Sequence, residues 1–135
     1  MNDLDFRQHA LLLARGRAVN GLVMLAVPGL VARLLFGKQG SQPVTKALVR
    51  LVGIRDVILG VGAITTVKEH TMDAEWVGMG AVADAVDGVV ALAATGLPAR
   101  SRLIAVVGGA AAVVGMLAAR GLADERSTAV SEIDS

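Results

Sequence analysis

The sequence predicts an all-α integral membrane protein, a four-helix bundle with a short interfacial helix after the first span. Three observations carry this. Hydrophobic residues make up 54% of the 135-residue chain, and the mean hydropathy is +0.63. The apolar residues fall into four stretches, each near the ~20 residues that a membrane-spanning helix needs. Short polar segments separate the stretches and hold most of the charge. In hydrocarbon the backbone must satisfy its own polar groups, so each stretch reads as helix.

The first span covers about residues 8–27 and ends at Pro28-Gly29, because Pro lacks the N–H that would continue the ladder. Residues 30–36 (LVARLLF) read as an amphipathic helix lying in the interface and stopped by Gly37. The polar turn KQGSQPVTK (38–46) follows. The second span, 47–67, ends before Lys68-Glu69-His70. The third, 76–97, opens with Trp76, a residue favoured in the headgroup belt, and closes before Pro98. The fourth, 103–119, carries no charge between Arg102 and Arg120. At ~1.5 Å per residue it matches the hydrocarbon thickness. The spans make one domain, residues 1–121. Residues 122–135 read as a polar, acidic, frayed tail. Asp3 and Asp5 spoil the basic region a signal peptide would need.

Four spans place the N-terminus, the 68–75 loop and the tail on one side. That side holds all the acids outside the spans, from Asp3 and Asp5 through Glu69, Asp73 and Glu75 to Asp124, Glu125, Glu132 and Asp134. The other side holds Arg33, Lys38, Lys46, Arg100 and Arg102, against Arg7, Lys68, Arg120 and Arg126. Counted on bases, the expectation is that both termini face outward.

Lipid is as apolar as leucine, so small residues must let the helices approach. Gly53, Gly60 and Ala63 share a face of span two. Gly80, Asp84, Asp87, Ala91 and Ala94 share a face of span three. Span four offers Gly108-x3-Ala112 and Ala111-x3-Gly115. These faces are read as bundle packing, with a homo-oligomer or a larger membrane complex as the sharper alternative.

Charges inside spans are expensive, from about 2.5 kcal/mol each upward. Arg17, Arg55, Asp56, Asp84 and Asp87 all fall inside spans. Counting inward from the 68–75 side, Asp84 and Asp87 lie eight and eleven residues below Trp76. Asp56 and Arg55 lie eleven and twelve from Val67, and Arg17 lies nine from Gln8. Antiparallel threading therefore sets them at one level. Asn20 shares the Arg17 face. Arg55–Asp87 and Arg17–Asp84 are the expected pairs, with the planar guanidinium favouring bidentate contact. That leaves Asp56 as a spare carboxylate able to hold a proton or a cation. Arg15, about 200° around the helix from Arg17, is expected to snorkel to the nearer surface. The candidate ligand or proton site is thus Arg17, Asn20, Arg55, Asp56, Asp84 and Asp87.

Other chemistry finds little support. A chain with no Cys excludes a disulfide scaffold and a thiolate metal site. Net charge +1 and three aromatic residues argue against a nucleic-acid partner. Asp84-x2-Asp87-Gly88-x2-Ala91 is similar to the opening of the CDP-alcohol phosphotransferase motif. Its Arg position is Leu92, however, and its second half is missing. His9 and His70 lie at span ends, which makes haem ligation unattractive, and the five Met read as packing filler. No catalytic residues, metal or cofactor are expected.

One combination of motifs remains. Arg17-Ala18-Val19-Asn20-Gly21 leads into Val27-Pro28-Gly29 and LVARLLFG, followed by Arg50-x2-Gly53-x-Arg55-Asp56-x3-Gly60. It resembles small four-helix bacterial membrane proteins of a domain-of-unknown-function family in the DoxX-like neighbourhood. In those proteins a first span ends at Pro, a short arm ends in FG or LG, and G-x-R-D-x3-G opens the second span. The resemblance covers roughly 15–120 and rests on Arg17, Pro28, Gly37, Gly53, Arg55, Asp56 and Gly60. It implies the four-span fold and a multi-pass place in a bacterial inner membrane, and no activity. The expected function is that of a non-enzymatic membrane protein, an accessory subunit whose Arg/Asp network is structural. The alternative is a small transporter or ligand-binding protein using that network. A dry, fully paired cluster would favour the first, and a cavity reaching the aspartates the second.

Overall fold

A computed structural model describes residues 3–69, 71–93 and 99–133. Among these every regular element is helical. The order is α1 (Asp3–Ala26), α2 (Pro28–Phe36), a 3-10 turn (Gly37–Ser41), α3 (Pro43–Glu69), α4 (Asp73–Ala93) and α5 (Ala99–Ile133).

Pro28 does not end helical structure; it redirects it. Pro at the first position of α2 sacrifices only an N–H that a helix start leaves free anyway. The amides of Leu30 and Val31 both donate to the Val27 carbonyl, while Val27 still closes α1 through Val23. The chain bends by 102° between Phe6–Ala26 and Pro28–Ser41. Gly37 then stops α2 at φ 62° and ψ −130°, a conformation that side chains with a Cβ avoid. Ser101 of α5 donates to the Leu35 carbonyl, which ties α2 to the start of α5.

The four long helices form a ring. α1 packs along α3 and α4 along α5, with thinner α1–α5 and α3–α4 seams and little contact across the α1–α4 diagonal. Small residues make the tightest seam. A Cβ on Gly53 would stand 2.9 Å from the Gly21 carbonyl oxygen and from Met24 Cβ. One on Gly60 would stand 2.7 Å from Ala14 O. The alanine-rich core includes Ala10, Ala14, Ala63, Ala118 and Ala119, with Val67, Val77 and Leu122. The large apolar side chains point outward instead, among them Leu12, Leu48, Ile58, Val89 and Leu103. This inverts the usual arrangement of a protein facing water.

Two helical stretches, Asp73–Ala93 and Ser101–Ser131, are long and apolar enough to cross a membrane alone; the bent α1–α2 pair makes a third if counted as one. α3 falls outside this group, because any 18-residue stretch of it contains Arg55, Asp56 and a further charge.

Three expectations need correction. The tail is helical to Ile133, because no Pro or Gly breaks 122–133 and Leu122 is 1% exposed. At ~1.5 Å per residue α5 is about 50 Å long, well beyond a hydrocarbon core. Trp76 lies half-buried against Gly62 and the core, not on the outer rim. A Cβ on Gly108 would meet nothing within 4 Å, so no close helix approach depends on that glycine; one on Gly115 would stand 3.1 Å from Ala81 Cβ. Ala94, His70 and the end of the third predicted span lie outside the described residues.

These contacts predict opposite outcomes for two glycine replacements. Gly53→Val overpacks the α1–α3 seam and should lower stability by about 1–3 kcal/mol. Gly108→Ala enters open space within a helix and should be neutral or stabilising by up to ~1 kcal/mol. Thermal unfolding in mild detergent measures both.

Candidate functional site

Helical spacing and antiparallel threading bring six side chains to one level of the ring. Asp84 and Asp87 are i,i+3 on α4 and project from one side of it. Arg17 and Asn20 stand likewise on α1. Arg55 and Asp56 are adjacent on α3, and the length of the arginine lets it turn back over its neighbour.

Arg55 meets Asp87 in a fork: Nη1 donates to Oδ1 at 2.9 Å and Nη2 to Oδ2 at 2.5 Å. Arg17 Nη2 donates to Asp84 Oδ2 and, at 2.8 Å, to the Gly80 carbonyl. Gly80 makes this possible, since a Cβ there would press on the guanidinium at 3.2 Å. Asp56 sits between the two arginines. Its Oδ1 accepts from Arg55 Nη2 at 3.1 Å and more distantly from Arg17 Nη1 at 3.5 Å. Its Oδ2 accepts from Asn20 Nδ2 at 3.3 Å. Asp56 is therefore shared, and the idea that it is a spare carboxylate fails. Arg55 Nε is buried with no partner. Arg15 is exposed and stands apart from the network.

Burial grades the cluster. The side chains of Asp56 and Arg17 are 8% and 12% exposed, against 34% for Arg55 and 46% for Asp87. The first two form the inner part and the Arg55–Asp87 fork the outer part. Removing one partner of a buried pair strands the other charge, typically a loss of 3–5 kcal/mol.

A cavity of about 390 Å³ adjoins the inner part. Arg17, Asn20, Asp56 and Asp84 form its polar floor. Alanines of α1, α3, α4 and α5, Leu13, Leu59 and Trp76 form its walls. Asp87 and Arg55 do not line it. The arrangement can hold a positive charge or a hydrogen-bond donor in an otherwise apolar chamber. Among the described residues no group of three or more His, Cys, Asp or Glu could hold a metal ion.

A second charge cluster ties the end of the bundle that carries the 68–75 connection. Arg7 Nη1 donates to Asp73 Oδ2 at 3.1 Å and to the Val67 carbonyl at 3.2 Å. Arg126 Nη2 donates to Asp73 Oδ1 at 2.6 Å, and its Nη1 to Glu75 Oε1 at 2.9 Å. The Arg126 hydrogen bond holds the Glu75 carboxyl below its ordinary range, and Glu75 and Asp73 together raise Arg126. Asp73 is 2% exposed and also accepts from the Ala74 amide. The sequence reading missed this cluster. The available signal was Asp73 opening a helix beside a short loop, where an acid complements the helix dipole.

Comparison of the chain with protein-family models, with curated proteins and with solved structures gave no match.

The burial gradient predicts a ranking. Arg17→Leu strands Asp84 and weakens Asp56, and should lose about 3–5 kcal/mol. Arg55→Leu and Asp87→Leu should each lose less, about 1.5–3 kcal/mol. Their double variant should be milder than the sum, and a double-mutant cycle on thermal stability in detergent reads that coupling.

Proposed function

We propose that the chain is a four-span, non-enzymatic protein of a bacterial inner membrane whose Arg/Asp network forms the floor of a small-ligand or proton site at mid-depth. Several features support the membrane part. Large apolar side chains face outward on every long helix. α3 counts as the fourth span because Arg55 and Asp56 are neutralised within the bundle. α2, bent away after Pro28, suits an interfacial position with Leu30 and Leu34 toward lipid. The resemblance of the motifs around Arg17, Pro28 and Arg55-Asp56 to those of the DoxX-like neighbourhood favours a bacterial inner membrane.

One observation carries the ligand-site reading: the cavity of about 390 Å³ reaches Arg17, Asn20, Asp56 and Asp84. That volume lies within the ~300–1,000 Å³ usual for small-molecule sites. Ionisable residues inside a membrane commonly mark ligand or ion paths. The second reading is an accessory subunit, as a homo-oligomer or in a larger complex, with the network as a structural lock. It is favoured by the pairing of all three aspartates with arginine.

Thiol labelling separates the two, and the chain has no native Cys to interfere. In proteoliposomes Ala111→Cys, on the cavity wall, should react readily with 2-aminoethyl methanethiosulfonate. Val113→Cys, on the outer face, should react little. Gln39→Cys and Met72→Cys should label from opposite sides. An inert Ala111→Cys would favour the structural lock, and labelling of positions 39 and 72 from one side would end the four-span topology.

A further inference from the structure

The charge count and the shape of the cavity together narrow its ligand. Two guanidiniums, Arg17 and Arg55, face three carboxylates, Asp56, Asp84 and Asp87. Fully ionised, the set carries one excess negative charge. Among the described residues no other cation pairs with these carboxylates. In a low-dielectric chamber a net charge is unfavourable, and one positive charge from outside would balance it.

The cavity offers that charge a place. Asp84 spends Oδ2 on Arg17, while its Oδ1 has no partner among the described residues and its side chain is 24% exposed. The Arg17 nitrogens that line the floor are already committed to Asp84, Gly80 and Asp56. From Asp84 the chamber runs along α4 to Trp76, about 12 Å of helix. Its length is walled by apolar side chains, far more room than a proton needs. Trp76 lines the far end and offers an aromatic surface to an apolar group. The rim includes Leu12 and Val107, which are 69% and 61% exposed, together with exposed Gly16. The chamber therefore opens sideways between α1 and α5, toward whatever surrounds the bundle.

We propose that this cavity binds a lipophilic monovalent ammonium cation, with its charge at Asp84 and Asp56 and its apolar body toward Trp76. The proposal rests on the membrane-cavity reading above, which supplies lipid as the medium at the lateral opening.

Trp76 is the only Trp and the chain has no Tyr, so the fluorescence comes from a single residue on the cavity wall. Purified protein in mild detergent is titrated with benzyltrimethylammonium, its neutral carbon isostere neopentylbenzene, and benzenesulfonate. The cation should give a saturable change that the neutral and anionic probes do not. Asp84→Asn should weaken it about tenfold or more. Ala111→Leu fills the chamber while leaving every charge in place, and should weaken it similarly even if Asp84→Asn folds poorly. A saturable response of equal affinity to neopentylbenzene overturns the charge assignment. No response to the cation, in protein whose Ala111→Cys variant still labels, overturns the proposal and leaves the cavity reading standing. No response together with an inert Ala111→Cys overturns both.

Discussion

The Arg17 guanidinium, held between Asp84 and Asp56, is the interaction on which the rest of the fold depends. It joins α1 to both α3 and α4 at the level of the cavity, as Arg7 does at the end of the bundle, and α1 and α4 otherwise barely touch. Its position demands several sequence choices at once. Gly80 leaves room for the planar group and offers it a carbonyl. Gly21 and Gly53 let the α1 and α3 backbones approach at the level of Asn20 and Asp56. A larger residue at any of these positions would push the donors away from the carboxylates. The close approach and the charge network are thus one device, since neither has its geometry without the other.

This device suits a chain whose outer surface is apolar. In water such a bundle would gain its stability by burying Leu, Ile and Val. Here those residues line the outside, and the interior is largely Ala and Gly. Dispersion between closely packed backbones and charge-assisted hydrogen bonds must hold the helices together instead. The polar end cluster around Asp73 repeats the theme outside the apolar zone, where Arg7 and Arg126 fasten α1 and the extended α5 to the start of α4.

The parts legible in the sequence are those governed by period and composition. The helices begin and end near Pro28, Gly37 and the 68–75 connection because those residues act locally. The level shared by Arg17, Asp56 and Asp84 follows from counting residues along antiparallel helices. Four features were not legible, each because it depends on distant partners. Whether Asp56 is spare or shared turns on how far two arginine side chains reach, which spacing along one helix does not tell. The inward packing of Trp76 depends on the absence of a side chain at Gly62, on another helix. The helical run of α5 past Arg120 is supported by Arg126 meeting acids more than fifty residues earlier. The cavity, a property of packing between α1, α3, α4 and α5, has no signature in any one segment.

The central claim, that Arg17 bridges Asp84 and Asp56 inside the bundle, is tested most directly by solid-state NMR of the protein in lipid bilayers. The experiment records through-space transfer from arginine guanidinium nitrogens to aspartate carboxyl carbons, with assignments fixed by Arg17→Lys and Asp84→Asn. Cross-peaks are expected from Arg17 to both Asp84 and Asp56, the former stronger. An Arg17 guanidinium that shows transfer only to water or to lipid phosphate would contradict it.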